Sequence, residues 1–486
     1  MFQNKEQNNG LNLKIIPTNI DECEKMINDM FGKSYDIVSQ RFNTNQKEAM
    51  ILFIDGLTNR NLIDRDIMYP LKDKSFDGDI GLAIKTVYKD VTAFDEVIKQ
   101  LLEGFVILFY DKSDKAYSME LRQFDKRCVS SPEAETVIRG PREGFTESIQ
   151  TNSSMIRRKL KNSKLVIESM TLGRQTNTLI GIVYIDGIVN QEVLTELKKR
   201  LAKINIDSVL ETAQIEQLII DKPMSTITGI GLTQKPDVVA ARILEGRVAV
   251  LCDGTPHVLT IPELFQETMQ AVVDYTSRTF YSSFIRILRL LALSLNIFLP
   301  GLAVAFIDYN PEMIPPNFLI TFISATELTP MPDVAEVFFL MLMFELLKEA
   351  GLRMPKSIGS AVAIVGALII GDTAVMANIV TAPIVIIIAL TSVAGLVVPN
   401  LNEFCTLFRF TFFFLGASFG LIGISAGIII MMTYAISRET FGIPFFSSIS
   451  KEDKKDTILR FPISTMKYRP KVLVKENVKR IDMEEK

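Results

Sequence analysis

Leu290–Ile307 reads LLALSLNIFLPGLAVAFI, eighteen residues without a charge. As an α-helix rising ~1.5 Å per residue it spans roughly 27 Å, close to the ~30 Å hydrocarbon core of a bilayer. Pro300-Gly301 in its middle predicts a kink. Two longer uncharged runs follow: Thr373–Asn402, with 30 residues, and Phe410–Ser437, with 28. A buried helix of a soluble protein rarely stays uncharged on every face for so long, so the three runs predict membrane spans.

Two further segments are less regular. Ile358–Gly371 (IGSAVAIVGALIIG) is apolar but short and ends at Asp372. Ile314–Leu347 is apolar but holds Glu327, Pro330, Pro332, Asp333, Glu336 and Glu345. A charge at the bilayer centre costs about 3 kcal/mol on insertion scales, which disfavours a plain lipid-facing helix there. A broken or re-entrant segment, a water-lining helix pair and an interfacial hairpin all fit. Arg278, Arg286 and Arg289 precede the first span, and Arg438, Lys451, Lys454, Lys455 and Arg460 follow the last. Positive residues stay inside, so both ends are expected on the cytoplasmic face with an even number of crossings. Four crossings with a non-crossing Ile314–Leu347 satisfy this. The cluster Lys348, Arg353 and Lys356 also reads as an inside loop. Gly416–Gly420 and Gly423–Gly427 are GxxxG pairs, which suit helix association between subunits or packing within one.

Charge is dense before Arg289. There Phe53-Ile-Asp-Gly-Leu-Thr-Asn59 matches Tyr184-Ile-Asp-Gly-Ile-Val-Asn190, and Leu102-Glu-Gly-Phe-Val-Ile-Leu108 matches Leu244-Glu-Gly-Arg-Val-Ala-Val250. The shared order indicates an internal duplication. Each half opens on an apolar β-type run (AMILFI; TLIGIVYI) that ends at Asp-Gly, a turn signal. A helical pattern follows, then Leu-Glu-Gly and a second strand, with Gly104 and Gly246 placed as helix C-caps. The expected fold class is an α/β duplicated cytosolic domain followed by an all-α polytopic membrane domain. The divisions are 1–30, a flexible N-terminal segment; 31–135, the first α/β subdomain; 136–283, a linker and the repeated second subdomain; 284–440, the transmembrane helices; and 441–486, a basic cytoplasmic tail. A basic stretch, Arg139, Arg142, Arg157, Arg158, Lys159, Lys161 and Lys164, joins the halves; it suits anionic lipid, an acidic partner or a solvated face.

The chain has 486 residues, 48% apolar and 22% charged, with a net charge of −3. That balance and the lack of interleaved aromatics give no case for nucleic acid. Cys23, Cys128, Cys252 and Cys405 lie far apart, which argues against a zinc site or a disulfide framework. His257 is the only histidine, so His-based metal sites and Ser-His triads are disfavoured. No P-loop occurs, and the duplicated Asp-Gly pairs read as turns rather than catalytic acids. The first thirty residues are polar and predict no signal peptide.

Several strings taken in order carry a resemblance: Val137-Ile-Arg-Gly-Pro-Arg-Glu-Gly-Phe-Thr-Glu147, Thr151-Asn152 with Arg157-Arg158, Gly173-Arg174, Glu245-Gly-Arg247, Asp253-Gly-Thr-Pro256, Asp274-Tyr275, Glu312-Met-Ile-Pro315, Glu349-Ala-Gly-Leu-Arg-Met-Pro355 and Ile364-Val-Gly-Ala-Leu-Ile-Ile-Gly371. Over about residues 30 to 470 the chain resembles the A subunits of GerA-type spore germinant receptors. Thr326-Glu327-Leu328 and Tyr309-Asn310-Pro311 depart from the usual family pattern. The resemblance implies a role in germination at the spore inner membrane, without enzyme activity or cofactor. It also implies a permease-like B subunit to which nutrient binding is attributed, a lipoprotein C subunit, and a homo-oligomer, possibly a pentamer, that forms a nutrient-gated cation channel. On that reading Ile358, Val362, Val365 and Ile369, which share one helix face, are candidate pore-lining residues. Contact with lipid or a neighbouring helix is the alternative for that face. Glu327, Glu336, Glu345 and Asp372 are candidate ion-path charges, and Gly416, Gly420, Gly423 and Gly427 candidate association sites. A non-conducting scaffold and an accessory protein similar to the A-subunit-like product of the SpoVA operon are the alternatives.

Overall fold

The computed structural model describes residues 15–44, 47–73, 83–122, 140–354, 369–446, 456–474 and 478–480. Its front half holds two five-stranded sheets. The first contains β1 (Ile37–Asn43), β2 (Glu48–Ile54), β3 (Tyr88–Val91), β4 (Val106–Tyr110) and β5 (Ala116–Met119) in the order β1-β2-β4-β5-β3. The second contains β6 (Leu165–Leu172), β7 (Thr178–Ile185), β8 (Gly231–Thr233), β9 (Val248–Cys252) and β10 (Val258–Ile261) in the order β6-β7-β9-β10-β8. Strand for strand the orders correspond, and the pairings are antiparallel.

The matched sequences form the central pairs. Leu52 of β2 faces Ile107 of β4, and Val183 of β7 faces Ala249 of β9. These strands are apolar on consecutive residues because both faces of the sheet are covered. Met50, Leu52 and Ile54 pack under α1 (Ile20–Phe31) and α2 (Phe94–Leu102). Ala49, Ile51 and Phe53 meet Ile63, Ile67, Met68 and Leu71 on the other side. Each half begins one strand earlier than the apolar runs indicated. The outer strands β1 (IVSQRFN) and β6 (LVIESMTL) alternate with polar residues, so they carry no continuous apolar signal.

The repeated Asp-Gly-x-x-Asn is a turn followed by a cap. Gly56 and Gly187 take φ of 81° and 79°, and the asparagine three residues later starts a helix. Asn59 Oδ1 accepts from the Asn61 and Leu62 amides, and Asn190 Oδ1 from those of Glu192 and Val193, opening α4 (Gln191–Ala202). Gly104 and Gly246 have φ of 88° and 92° and end α2 and α6 (Pro236–Leu244, which follows α5, Thr212–Ile219), as their sequence context predicted.

Two boundaries need correction. Helix α1 lies within the stretch taken as a flexible N-terminal segment. Its Ile20, Cys23, Ile27 and Phe31 recur at helical spacing and are buried in the first core. The tail, expected as a separate basic cytoplasmic segment over 441–486, also joins the fold. Phe441, Ile443, Leu473 and Val474 enter the core of the second sheet, and Arg480 pairs with Glu245 at 2.9 Å.

The halves are joined by a buried arginine on α3 (Ile149–Lys159). Arg157, fully buried, reaches both Asp36 carboxylate oxygens at 2.9 and 3.0 Å, Ser34 Oγ at 2.9 Å and the Leu165 carbonyl at 2.9 Å. Arg158 and Lys159 pair with Glu143 at 3.1 and 3.2 Å. Much of the basic stretch is therefore engaged inside the chain. Arg139 lies outside the described residues.

The rear half is helical: α7 (Thr279–Val304, continued by a π-helical turn Ala305–Tyr309), α8 (Pro316–Thr326), α9 (Asp333–Arg353), α10 (Ala382–Leu396) and α11 (Asn402–Ile436). Thr279–Tyr309 and Asn402–Ile436 are long and apolar enough to cross a membrane by length and composition. The interrupted segment is two helices, α8 and α9, separated by the Pro330–Pro332 region. Of Ile358–Gly371, the residues 358–368 lie outside the described set.

Helix α11 is not a single straight span. Gly420 takes φ 58° and ψ −143° inside it. Beyond that point the chain folds back: the Phe408 and Tyr434 rings lie 6.3 Å apart. Twenty-six residues of straight helix would separate them by about 39 Å. α11 is thus a hairpin of two antiparallel legs, Asn402–Phe419 and Leu421–Ile436. Its tip is held by Tyr309, whose hydroxyl donates to the Ala417 and Ser418 carbonyls at 2.8 and 3.0 Å. All four candidate association glycines are buried within this packing. Gly416 meets the Gly301 backbone of α7, Gly420 forms the turn, and Gly423 and Gly427 admit Leu415, Phe419 and Phe412 of the opposite leg. The small residues bring segments of one chain together rather than presenting a face to a second copy.

A double variant Phe408→Cys/Tyr434→Cys should cross-link efficiently with a short bis-maleimide, as seen by mass spectrometry of the full-length chain; a straight α11 would give none. Gly420→Ala forces a side chain into a glycine-only backbone region against Tyr309 and should cost about 1–3 kcal/mol, read as a lowered Tm.

Candidate functional site

Among the described residues the helical half buries paired charge in two places, each binding separate elements together, and a lone carboxylate, Glu336, in a third. The first lies where α7, α9, α10 and α11 meet. Arg409 of α11, 6% exposed, donates from Nη2 to Glu345 Oε2 of α9 at 2.6 Å and from Nη1 to Asn296 Oδ1 of α7 at 3.2 Å. Lys348 donates to Glu345 Oε1 at 3.0 Å and to Asn402 Oδ1 at 2.7 Å. Gly395 of α10 leaves room for the Asn296 amide. The surroundings are apolar, with Leu293, Ile297, Phe404, Cys405 and Phe412 buried nearby. The arginine and glutamate neutralise each other, and the asparagine supplies a further acceptor.

Glu336 sits nearer the other end of α9. It is fully buried, and its Oε2 accepts from the Thr381 amide at 3.0 Å and hydroxyl at 3.1 Å. Thr381 is the N-cap of α10, so the carboxylate meets the positive end of that helix. Among the described residues Glu336 Oε1 has no hydrogen-bond partner.

The four acids singled out in the sequence do not converge. Glu327 and Asp372 are exposed, whereas Glu336 and Glu345 are buried or half-buried. Nine residues along α9 separate the last two by about 13 Å. Glu345 pairs with Arg409 and Lys348, and Arg353 pairs with Glu349 at 2.7 Å. Lys356, Ile358, Val362 and Val365 lie outside the described residues, and Ile369 opens a π-helical turn, Ile369–Thr373. Sequence reasoning missed Arg409 and Asn296. Arg409 stands one residue before the uncharged Phe410–Ser437 run and is preceded by Phe408, so its neighbours already placed it among apolar side chains. Among the described residues no three His, Cys, Asp or Glu side chains are grouped to hold a metal.

The second site joins the α/β half, the first long helix and the tail. Asp274, 2% exposed, receives Arg286 Nε at 3.1 Å, Arg289 at 2.7 and 2.8 Å, and the Ala271 amide at 3.1 Å. Arg286 also reaches Asp456 Oδ1 at 2.9 Å and the Thr457 carbonyl at 3.1 Å. Arg460 bonds the Ser277 carbonyl at 2.7 Å, and Tyr275 donates to Asp456 at 2.9 Å. The arginines that read as a topology signal are therefore also the ties that fix α7 to the α/β half. Burial alone pushes the Asp274 carboxyl up, but hydrogen bonds from Arg289 and the Ala271 amide outweigh it and hold the group below the usual carboxylate value. Burial raises Asp456, with Arg286 offsetting only part of it.

The motif Gly144-Phe-Thr-Glu147 serves as a structural brace. Asn152 closes on Thr146 through its amide, 2.8 Å from the Thr146 N–H to Oδ1 and 2.6 Å from Nδ2 to the Thr146 carbonyl. Asp253 Oδ1 accepts the Ile149 amide at 3.0 Å, at the start of α3.

The family model described as Bacillus/Clostridium GerA spore germination protein matches residues 25–472. Spore germination protein KA of Bacillus subtilis is 38% identical over 475 residues, covering 94% of this chain and 87% of that protein. The Bacillus subtilis membrane protein YfkQ is 37% identical over 449 residues, covering 90% and 87%. Among solved structures, the N-terminal domain of the A subunit of the Bacillus megaterium spore germinant receptor GerK3 aligns with a TM-score of 0.42 and 31% identity, over 52% of this chain and 99% of that one.

Removing one partner of a buried ion pair costs about 3–5 kcal/mol, whereas removing both is far milder. Glu345→Gln, which strands the buried Arg409, should therefore lower the Tm of the full-length chain sharply, and Arg409→Met/Glu345→Gln should recover most of the loss. Asp274→Asn takes the carboxylate from Arg289, leaves Arg286 with Asp456 alone, and should destabilise by a similar amount at pH 7. A carboxyl whose folded pKa is lowered stabilises fully above its unfolded value, near 3.9, and loses that contribution as pH falls through the folded value. The gap between wild type and Asp274→Asn in a Tm series should thus be full at neutral pH and close only below about pH 4.

Proposed function

We propose that this chain, which belongs to the GerA family of Bacillus and Clostridium spore germination proteins, is the membrane subunit of a germinant receptor and forms an oligomeric, nutrient-gated cation channel in the spore inner membrane. The observation that carries the reading is the family match along residues 25–472, which takes in the α/β half, the helical half and part of the tail together. The relative YfkQ is named a membrane protein, and Thr279–Tyr309 has the length and composition of a span. Ionisable groups held among apolar helices, such as Arg409, Glu345 and Glu336, are costly in lipid and suit a region that handles ions.

In this reading the α/β half and the tail are cytoplasmic, and the helical half crosses the bilayer more than once. The chain works with a permease-like subunit, which takes the nutrient, and with a lipoprotein subunit. Ile358, Val362, Val365 and Ile369 line the conducting path and close it by dewetting. One observation favours a second reading, a non-conducting scaffold or an accessory germination protein: the Glu345 carboxylate is engaged within the chain by both Arg409 and Lys348.

Spores lacking the gene should release little potassium in the minutes after a mixed nutrient stimulus, and the wild-type gene should restore release. Val362→Ala should raise unstimulated potassium leak with normal receptor assembly. Normal release from the deletion strain, or an unchanged leak in a properly assembled Val362→Ala receptor, would count against the channel reading.

A further inference from the structure

A cavity of about 330 Å³ lies where the returning leg of α11 meets the second α/β unit. One wall is the loop Ile220–Thr228, and the other is Ser437–Gly442, directly after the last apolar helical residue, Ile436. The walls are tied by the Tyr434 hydroxyl, 3.1 Å from Ser225 Oγ. Arg438 lines the cavity with its guanidinium stacked 3.9 Å over the Tyr434 ring. Stacking covers a face of the guanidinium and leaves its edge to seek partners in its own plane.

Among the described residues those partners are absent. Arg438 Nε and Nη1 are buried and make no hydrogen bond. Buried cationic donors without an acceptor are costly, so two on one side chain point to a ligand. The nearby carboxylate does not serve them: Asp221 is taken by Arg200 at 2.5 Å and by the Phe441 amide at 3.1 Å. The second acid of the lining, Glu439, is exposed. Lys222 adds a second cation, and Ser225 and Thr228 add hydroxyls. A planar guanidinium fork with an ammonium and hydroxyls around it matches a phosphate group.

Two features select a lipid over a free ion. The cavity adjoins the end of an apolar leg, where basic residues meet anionic head groups. Met224 on the same loop is 97% exposed, an apolar side chain placed to enter an interface beside the cavity. We propose that this cavity binds the phosphate of an anionic glycerophospholipid head group, with Arg438 as the principal ligand and Lys222 in support. The lipid source, though not the phosphate chemistry, rests on the membrane reading above.

The test uses the full-length chain in neutral detergent, titrated with phosphatidylglycerol, phosphatidylcholine or inorganic phosphate and followed by Tm. Flotation with phosphatidylcholine vesicles scores membrane insertion separately. Phosphatidylglycerol should raise Tm more than phosphatidylcholine, with inorganic phosphate weak at millimolar concentration. Arg438→Gln should weaken the phosphatidylglycerol response at least tenfold, and Arg438→Lys, which keeps charge but loses the fork, should fall between. Lys222→Gln, at an exposed position, should weaken it about threefold with an unchanged starting Tm. An equal response to inorganic phosphate that vanishes in Arg438→Gln would assign the site to soluble phosphate. A chain that floats but responds to phosphatidylglycerol equally with and without Arg438 and Lys222, or not at all, overturns the site and leaves the membrane reading intact. A chain that does not float overturns the lipid assignment along with that reading.

Discussion

An arginine buried among apolar helices must find a counter-charge, and much of the helical half is arranged around that requirement at Arg409. An uncompensated arginine in a membrane interior costs about 2.5–3.5 kcal/mol even on insertion scales. Glu345 of α9 neutralises it, Asn296 of α7 supplies a further acceptor, and Lys348 with Asn402 closes the far side of the glutamate. Three helices are thereby fixed in register at one level. Their apolar contacts alone would allow sliding, since aliphatic surfaces discriminate weakly between neighbouring registers. The glycines then decide how closely the elements approach. Gly301 and Gly416 bring α7 against the outgoing leg of α11, and Gly420 lets that leg reverse under Tyr309.

A second set of buried charges ties this half to the α/β half. Asp274 holds two arginines of α7, and Asp456 of the tail shares one of them. A displacement of α7 therefore disturbs the second α/β unit and the tail together, because the same guanidinium touches all three. Arg157 performs a comparable service between the two α/β units, reaching Asp36 and Ser34 across the duplication. Buried arginines thus mark the principal seams of the chain, each bonded to a carboxylate or carbonyl of a neighbouring element.

The α/β half was legible where the sequence repeats itself. The Asp-Gly-x-x-Asn turn-and-cap and the Leu-Glu-Gly helix ends have local causes, a positive φ and an asparagine acceptor, so a short string suffices to read them. The outer strands β1 and β6 were not legible, since their polar residues face solvent and break the apolar run. In the helical half, composition revealed long apolar segments but not their path. Phe410–Ser437 reads as one span because nothing in its hydropathy distinguishes a straight helix from a hairpin. The reversal depends on one backbone torsion at Gly420, in a string that equally fits a helix-association pattern. The partners of Glu345 were also hidden, because Arg409 is 64 residues away along the chain and is brought near only by the folding of α7, α9 and α11. Lys348, one turn from Glu345, pairs with it, while Arg353 turns to Glu349.

The account joins a structural claim, that charge is buried and paired among apolar helices, to a functional one, that those helices conduct cations across a spore membrane. The most direct measurement is potassium flux from liposomes carrying the purified full-length chain, with orientation and folding verified on the same vesicles. The account predicts a cation flux above that of protein-free liposomes, lost when the Arg409–Glu345 pair is broken. Correctly folded, membrane-inserted protein that passes no potassium under any membrane potential would contradict it and favour a scaffold role.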